Sequence, residues 1–146
     1  MSQPADPLHA SCVALGGSGV LITGAAGSGK STLALDLIAL GAELVADDQV
    51  LLTREGAALV ATAPEATAGL IEARGVGILR LPARAQVALA VVVDLDMIEA
   101  RRLPPGREAE IEGVRLPLIH GRDMAGLSAI LVAWLAKGGT LTEVDG

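Results

Sequence analysis

The chain has 146 residues, with eleven Lys and Arg against seventeen Asp and Glu, a net charge of −6, 51% hydrophobic residues and 1% aromatics. That length fits one domain with a real core and leaves no room for a second substrate-binding domain. The acidity removes the counterion-release attraction to nucleic acid, the single Trp without Tyr or Phe removes the stacking platforms of single-strand binders, and apolar runs such as Val87 to Val93 fall short of the ~18 to 20 residues of a bilayer span, so neither nucleic acid nor membrane is expected as a partner.

In chain order, "MSQPADPLHA" has no basic start and no apolar run, so it reads as neither a signal peptide nor a transit peptide and a cytoplasmic protein is expected. Residues 1–8 read as a loose arm, 9–138 as one unit and 139–146 as a frayed tail. Cys12 has no partner cysteine, which agrees with a reducing compartment and with a small buried hydrophobe. "SCVAL" and "GVLITG" are β-branched runs separated by glycines, predicting two strands and a tight turn. From Ser31 to Leu40 the apolar residues Leu33, Leu37, Ile38 and Leu40 recur near helical spacing, with Gly41 placed as the left-handed residue after the helix.

"AELVA" is then a buried strand ending at Asp47, and "QVLLT" with "AALVAT" across "REG" predicts a hairpin. "APEATAGLIEARGVGIL" reads as a loop with one helical turn. "QVALAVVVDLD" has the length and continuous apolarity of a central strand buried on both faces. After the turn "LPPGRE", "AEIEGVRLPLI" predicts two short strands around Glu112 and Gly113. Asp123 is the expected N-cap of a helix from Met124 to about Lys137, with Met124, Leu127, Ile130, Leu131, Trp134 and Leu135 on one face and Gly138 ending it. The strand count is high for an even βαβ alternation. The expected fold class is therefore α/β, a P-loop-containing nucleotide-binding core on a mixed, β-rich sheet.

"GAAGSGKS" carries the chemistry. Gly24, Gly29, Lys30 and Ser31 satisfy G-x-x-x-x-G-K-[ST], with an apolar strand before and an amphipathic helix after. Its glycines let the amides of Gly24, Ala25, Ala26, Gly27, Ser28, Gly29, Lys30 and Ser31 approach a phosphate, while the helix N-terminus adds partial positive charge. Lys30 would meet the β- and γ-phosphates, and the Ser31 hydroxyl would serve Mg²⁺, so ATP and Mg²⁺ are the expected cofactors. The loop leaves the phosphoryl acceptor open. Asp47 and Asp48, at the end of the next strand, could reach metal and acceptor together, against a plain Asp-Asp turn as the alternative.

His9, "GVLITGAAGSGKS", "LVADDQV" and "LIEARGVGIL" together resemble the C-terminal catalytic domain of the HPr kinase/phosphorylase family, in its short proteobacterial form. The resemblance runs from His9 to about Lys137. It implies a serine kinase acting on an HPr-like phosphocarrier protein, with phosphorolytic reversal giving pyrophosphate, and a homo-oligomer, hexameric in the family. By that resemblance Asp48 is the general base, Asp47 a metal or orienting group, and Glu72 of "EARG" a second Mg²⁺-associated carboxylate in the same signature as Arg74. His9 would stand near the reacting phosphate and Arg102, beside Arg101, would stabilise phosphoryl charge. Gly121 and Arg122 match the region used for dephosphorylation. The competing readings are a small-metabolite kinase or plain NTPase, and a non-catalytic nucleotide sensor.

Overall fold

Strands β1 (Ala10–Leu15) and β2 (Ser18–Thr23) form a tight antiparallel hairpin, Ala10 opposite Thr23 and Leu15 opposite Ser18. They belong to a computed structural model that describes residues 6–142. The outer parts of the expected arm and tail, residues 1–5 and 143–146, lie outside the described residues. Leu8, by contrast, exchanges both backbone hydrogen bonds with Val50 at 2.8 and 2.9 Å.

Beyond the hairpin the chain builds α1 (Lys30–Ala39), β3 (Glu43–Ala46), β4 (Leu51–Glu55), β5 (Ala58–Thr62), a 3-10 turn at Glu65–Thr67, β6 (Leu70–Ala73), β7 (Gly77–Arg80), β8 (Val87–Asp94), β9 (Glu108–Ile111), β10 (Val114–His120) and α2 (Leu127–Leu135). The main sheet runs β3-β1-β2-β8-β10-β9, with β5 also pairing with β8 and carrying β4. β8 is parallel to β2 and β10, and the other pairings are antiparallel, so the sheet is mixed as expected. Among the described residues no helix is long and apolar enough to cross a membrane.

The apolar run of β8 does serve two cores. Val87, Leu89 and Val92 join a cluster with Cys12, Leu21, Leu52, Leu59 and Leu116, while Val91 and Val93 join the cluster under both helices with Leu33, Leu37, Leu127 and Leu131. Strict alternation would keep Leu89 and Val91 on one face. A register shift against β2, between Gly19 opposite Leu89 and Val20 opposite Val91, inserts one residue and turns the strand over.

Two expectations are corrected. The stretch around "LIEARGVGIL" is not a loop: β6 and β7 pair as a two-stranded hairpin outside the main sheet, after the helical turn at Glu65–Thr67. Val76 donates its N–H to the Ala73 carbonyl at 2.9 Å with Gly75 at φ 84°, the turn geometry only glycine adopts freely. Ile71 alone of the eight strand residues is fully buried, so the stretch shows no period-2 pattern. The last helix starts at Leu127, not Met124, and Asp123 does not cap it. Asp123 (φ 56°) and Gly126 (φ 75°) both hold left-handed conformations, which a helix backbone cannot pass through. Leu127 and Leu131 are buried as expected, whereas Ile130 is 49% exposed.

Candidate functional site

Three strand ends converge. β2 leads through Gly24–Gly29 into α1, whose first residue is Lys30, with Gly29 as N-cap at φ 102°. β1 runs antiparallel to both β2 and β3, so Ala10 lies opposite Thr23 and Cys12 opposite Ala46. The start of β1 is thereby brought against the phosphate loop and the end of β3. The result is a cavity of about 610 Å³ lined by His9 and Ser11, by Ala26, Gly27, Gly29, Lys30, Ser31 and Thr32, by Asp47 and Asp48, and by Thr67, Leu70, Ile71, Glu72, Arg74 and Ile78 from the β6–β7 side.

Asp47 is the anchor. It is 5% exposed, and its carboxylate accepts from the Ser11 hydroxyl at 2.6 Å, from the Ser31 hydroxyl at 2.8 and 3.0 Å, and from the Glu72 N–H at 3.1 Å. A buried carboxylate is tolerated when donors of this kind satisfy it. The single group thus joins the first strand, the phosphate-loop helix and the β6–β7 hairpin. Asp48 lines the same cavity with other partners: its Oδ1 accepts from His9 Nε2 at 3.0 Å, and both side chains are exposed.

Lys30 is 7% exposed, and its ammonium donates to the Gly24 and Ala25 carbonyls at 2.8 and 3.0 Å, closing the loop on itself. On the loop's outer side the Ala25 N–H donates to both oxygens of Asp96, at 2.9 and 3.1 Å, and the Asp96 N–H donates to Asp94 Oδ1 at 2.8 Å. Because β8 is parallel to β2 with Asp94 opposite Thr23, "DLD" lies where it can brace the loop. The Ser28 hydroxyl is buried against Gly24 with no hydrogen-bond partner.

The donor set fits a Mg²⁺–triphosphate. Among the described residues no three His, Cys, Asp or Glu side chains form a metal cage. Mg²⁺ does not need one, since it takes one or two protein oxygens together with phosphate oxygens and water. The Ser31 hydroxyl and Asp47 carboxylate, in contact at the mouth of a glycine-rich helix N-terminus, are that kind of pair. Glu72 also lines the cavity.

Of the other residues singled out from sequence, Gly24, Ala25 and Ser28 belong to the loop but do not line this cavity. Arg101 and Arg102 lie on an exposed segment between β8 and β9, and neither lines it. Gly121 and Arg122 follow β10. A Cβ on Gly121 would come within 2.7 Å of a Val93 methyl and 2.9 Å of a Leu127 methyl, so any side chain there would have to push these packed groups aside. Sequence reasoning missed Ser11, whose only signal was a hydroxyl inside an apolar strand, and the bracing Asp96. It also missed the Arg107 guanidinium, which grips Glu99 at 2.7 and 2.9 Å while the Arg101 N–H donates to the same carboxylate at 3.2 Å. The Arg107 hydrogen bonds hold the Glu99 carboxyl down at about 2. Burial pushes the Cys12 thiol up to about 12.

Comparison with known proteins gives one answer throughout. The family model described as HPr Serine kinase C-terminal domain matches residues 3–103. An HPr kinase/phosphorylase of Chloroherpeton thalassium is 39% identical over 130 residues, covering 77% of this chain and 37% of the relative. One of Clostridium acetobutylicum is 45% identical over 80 residues, covering 55% of this chain and 26% of the relative. The matches therefore span between about a quarter and little more than a third of the length of these curated relatives. The solved structure of the Hpr(Ser) kinase/phosphatase from Coxiella burnetii superposes with a TM-score of 0.76 at 29% identity, covering 92% of this chain and 95% of that one.

Proposed function

The chain belongs to the HPr Serine kinase C-terminal domain family, and from that premise we propose that it transfers the γ-phosphoryl group of ATP to a serine of an HPr-like phosphocarrier protein, in the cytoplasm, and can return that group to phosphate to give pyrophosphate. The observation that carries the reading is the adjacency of Asp47 and Asp48: one is bonded to the phosphate-loop hydroxyl of Ser31, and the next residue turns into the same cavity beside His9.

Each residue then has a distinct task. The amides of the loop and the start of α1 bind the phosphates, and Lys30 exchanges its loop carbonyls for phosphate oxygens. Ser31 and Asp47 would hold Mg²⁺, and Glu72, which lines the same cavity, is the further carboxylate available to it. A Mg²⁺ held there would supply charge neutralisation for the phosphates. Asp48 accepts the seryl proton and His9 holds the Asp48 carboxylate in place. Phosphoryl transfer rests mainly on positioning, so a weak base suffices. Arg74, which lines the cavity, supplies positive charge to the phosphates, whereas Arg102 lies outside it on an exposed segment and has that role by the family resemblance alone. Ile78 lines the cavity, and Val76 in the turn two residues before it is 81% exposed, which offers an incoming carrier protein an apolar edge. The same apolar surface suits a homo-oligomer. No observation favours the metabolite-kinase or sensor readings.

The test is direct. With ATP, Mg²⁺ and HPr the protein should yield phosphoserine, and Asp48→Asn should abolish transfer while nucleotide still binds. An HPr that stays unmodified with wild-type protein ends the assignment.

A further inference from the structure

A second groove, of about 820 Å³, runs between α1 and α2. It shares Gly29 and Thr32 with the cavity described above. We infer that this groove holds the nucleoside end of the nucleotide, so that the substrate lies across the first turn of α1 with its base between the two helices. The inference rests on the nucleotide reading above and adds to it a subsite on the opposite side of the phosphate loop from the acidic pair.

Continuity is the first argument. Lys30 and Ser31 line only the first cavity, whereas Gly29 and Thr32, which flank them, line both. A phosphate chain gripped at Lys30 has its reactive end toward His9, Asp48 and Glu72, the far wall of that cavity. Its other end then points to the edge formed by Gly29 and Thr32, the residues that the cavity and the groove share.

Charge and shape then select the occupant. The walls are apolar, with Leu33 of α1 and Leu40 just after it facing Met124, which precedes α2, and Leu127, its first residue. No Lys or Arg lines the groove, while Asp36 and Asp123 do. A second phosphate or an acidic peptide would be repelled there. A neutral, flat, amine-bearing ring suits it: Met124 and the leucines cover its faces, Asp36 can accept from an exocyclic amino group, and the volume falls within the ~300–1,000 Å³ of small-molecule sites. Leu40 is 53% exposed on this wall, apolar surface that a bound base would cover.

Inorganic tripolyphosphate, which has the phosphates and lacks the nucleoside, separates the two halves of the site. Titration calorimetry of the whole chain with Mg²⁺ should show ATP binding at least about tenfold more tightly than tripolyphosphate. Ala129→Trp, on an exposed position of α2 lining the groove, should remove that preference while leaving tripolyphosphate affinity within about twofold of wild type. Ala39→Trp fills the groove from the α1 side and makes the same test should the first variant lose its fold by circular dichroism. Equal affinity for the two ligands in wild type, or an ATP preference that survives both tryptophans, overturns the nucleoside subsite and leaves the phosphate reading standing. A wild-type protein that binds neither ligand overturns both.

Discussion

The backbone N–H of Gln49 donates to the Asp47 carbonyl at 2.8 Å, and Asp48 between them has a φ of 68°. This is a γ-turn with a positive central φ, the rarer and more strained hand. It lets two consecutive carboxylates serve different ends of one cavity: Asp47 is bonded to Ser11, Ser31 and Glu72, and Asp48 to His9 at the exposed side. Strain held at a functional position should be separable from function. Asp48→Val should cost about 1–2 kcal/mol in denaturant unfolding, because a β-branched residue is poorly suited to positive φ. Asp48→Gly and Asp48→Asn should unfold close to wild type. All three should lose phosphoserine formation. A glycine variant less stable than the valine variant would contradict the strain.

Asp96 braces the phosphate loop from outside the cavity through the Ala25 N–H. Hydrogen bonds to an exposed carboxylate contribute about 1 kcal/mol at most, so Asp96→Ala should lower stability little. Its larger effect should be on the loop, which loses an external tether and must be ordered by the ligand instead. Triphosphate affinity should fall about three- to tenfold by calorimetry, with Asp96→Asn intermediate because its amide oxygen still accepts. Unchanged affinity in the alanine variant would show that the loop is preorganised without the tether.

The part of the site made by local chain was legible in the sequence. The phosphate loop, its flanking strand and helix, and the Asp-Asp pair lie between Gly24 and Asp48, and their spacing is dictated by loop chemistry. What joins them was not. Ser11 reaches Asp47 because β1 is antiparallel to both β2 and β3, a pairing no local pattern encodes. Asp96 meets Ala25 because β8, some 70 residues later, lies parallel to β2. The β6–β7 hairpin escaped for a different reason. One face of it packs through Ile71 alone, and it is held by a turn glycine and by the bond from Glu72 to Asp47, so it has no hydrophobic period to detect. Gly126 was the available warning against starting the last helix at Met124, since glycine inside a helix costs about 1 kcal/mol relative to alanine.

Cys12 is fully buried in the cluster with Leu21 and Val45. Burial disfavours the thiolate, and the thiol lies at about 12. It should therefore resist alkylation in the native protein at pH 8, where an exposed cysteine reacts readily. Reaction should follow global unfolding: its rate with a chromogenic disulfide reagent should rise steeply through the denaturation midpoint and be nearly flat below it. Fast native-state labelling would place Cys12 in a locally opening segment.

Glu99 and Arg107 close the segment that carries Arg101 and Arg102, and their two-point contact is the strongest side-chain restraint on it. With its pKa held at about 2 against an ordinary 4.5, the Glu99 carboxyl binds its proton less tightly in the folded state than in the unfolded chain. The pair's contribution to stability is therefore complete above pH 4.5 and drains away as pH falls toward 2. Glu99→Gln should melt at a lower temperature than wild type at pH 7, with the difference narrowing below pH 4.5 and closing near pH 2. If Arg102 acts on the phosphoryl group, the same variant should also lose turnover at neutral pH with ATP affinity intact, since the arginine loses its hold and the phosphate loop does not. A melting difference that stays constant from pH 7 to pH 2 would mean that the ionised pair is not what restrains the segment.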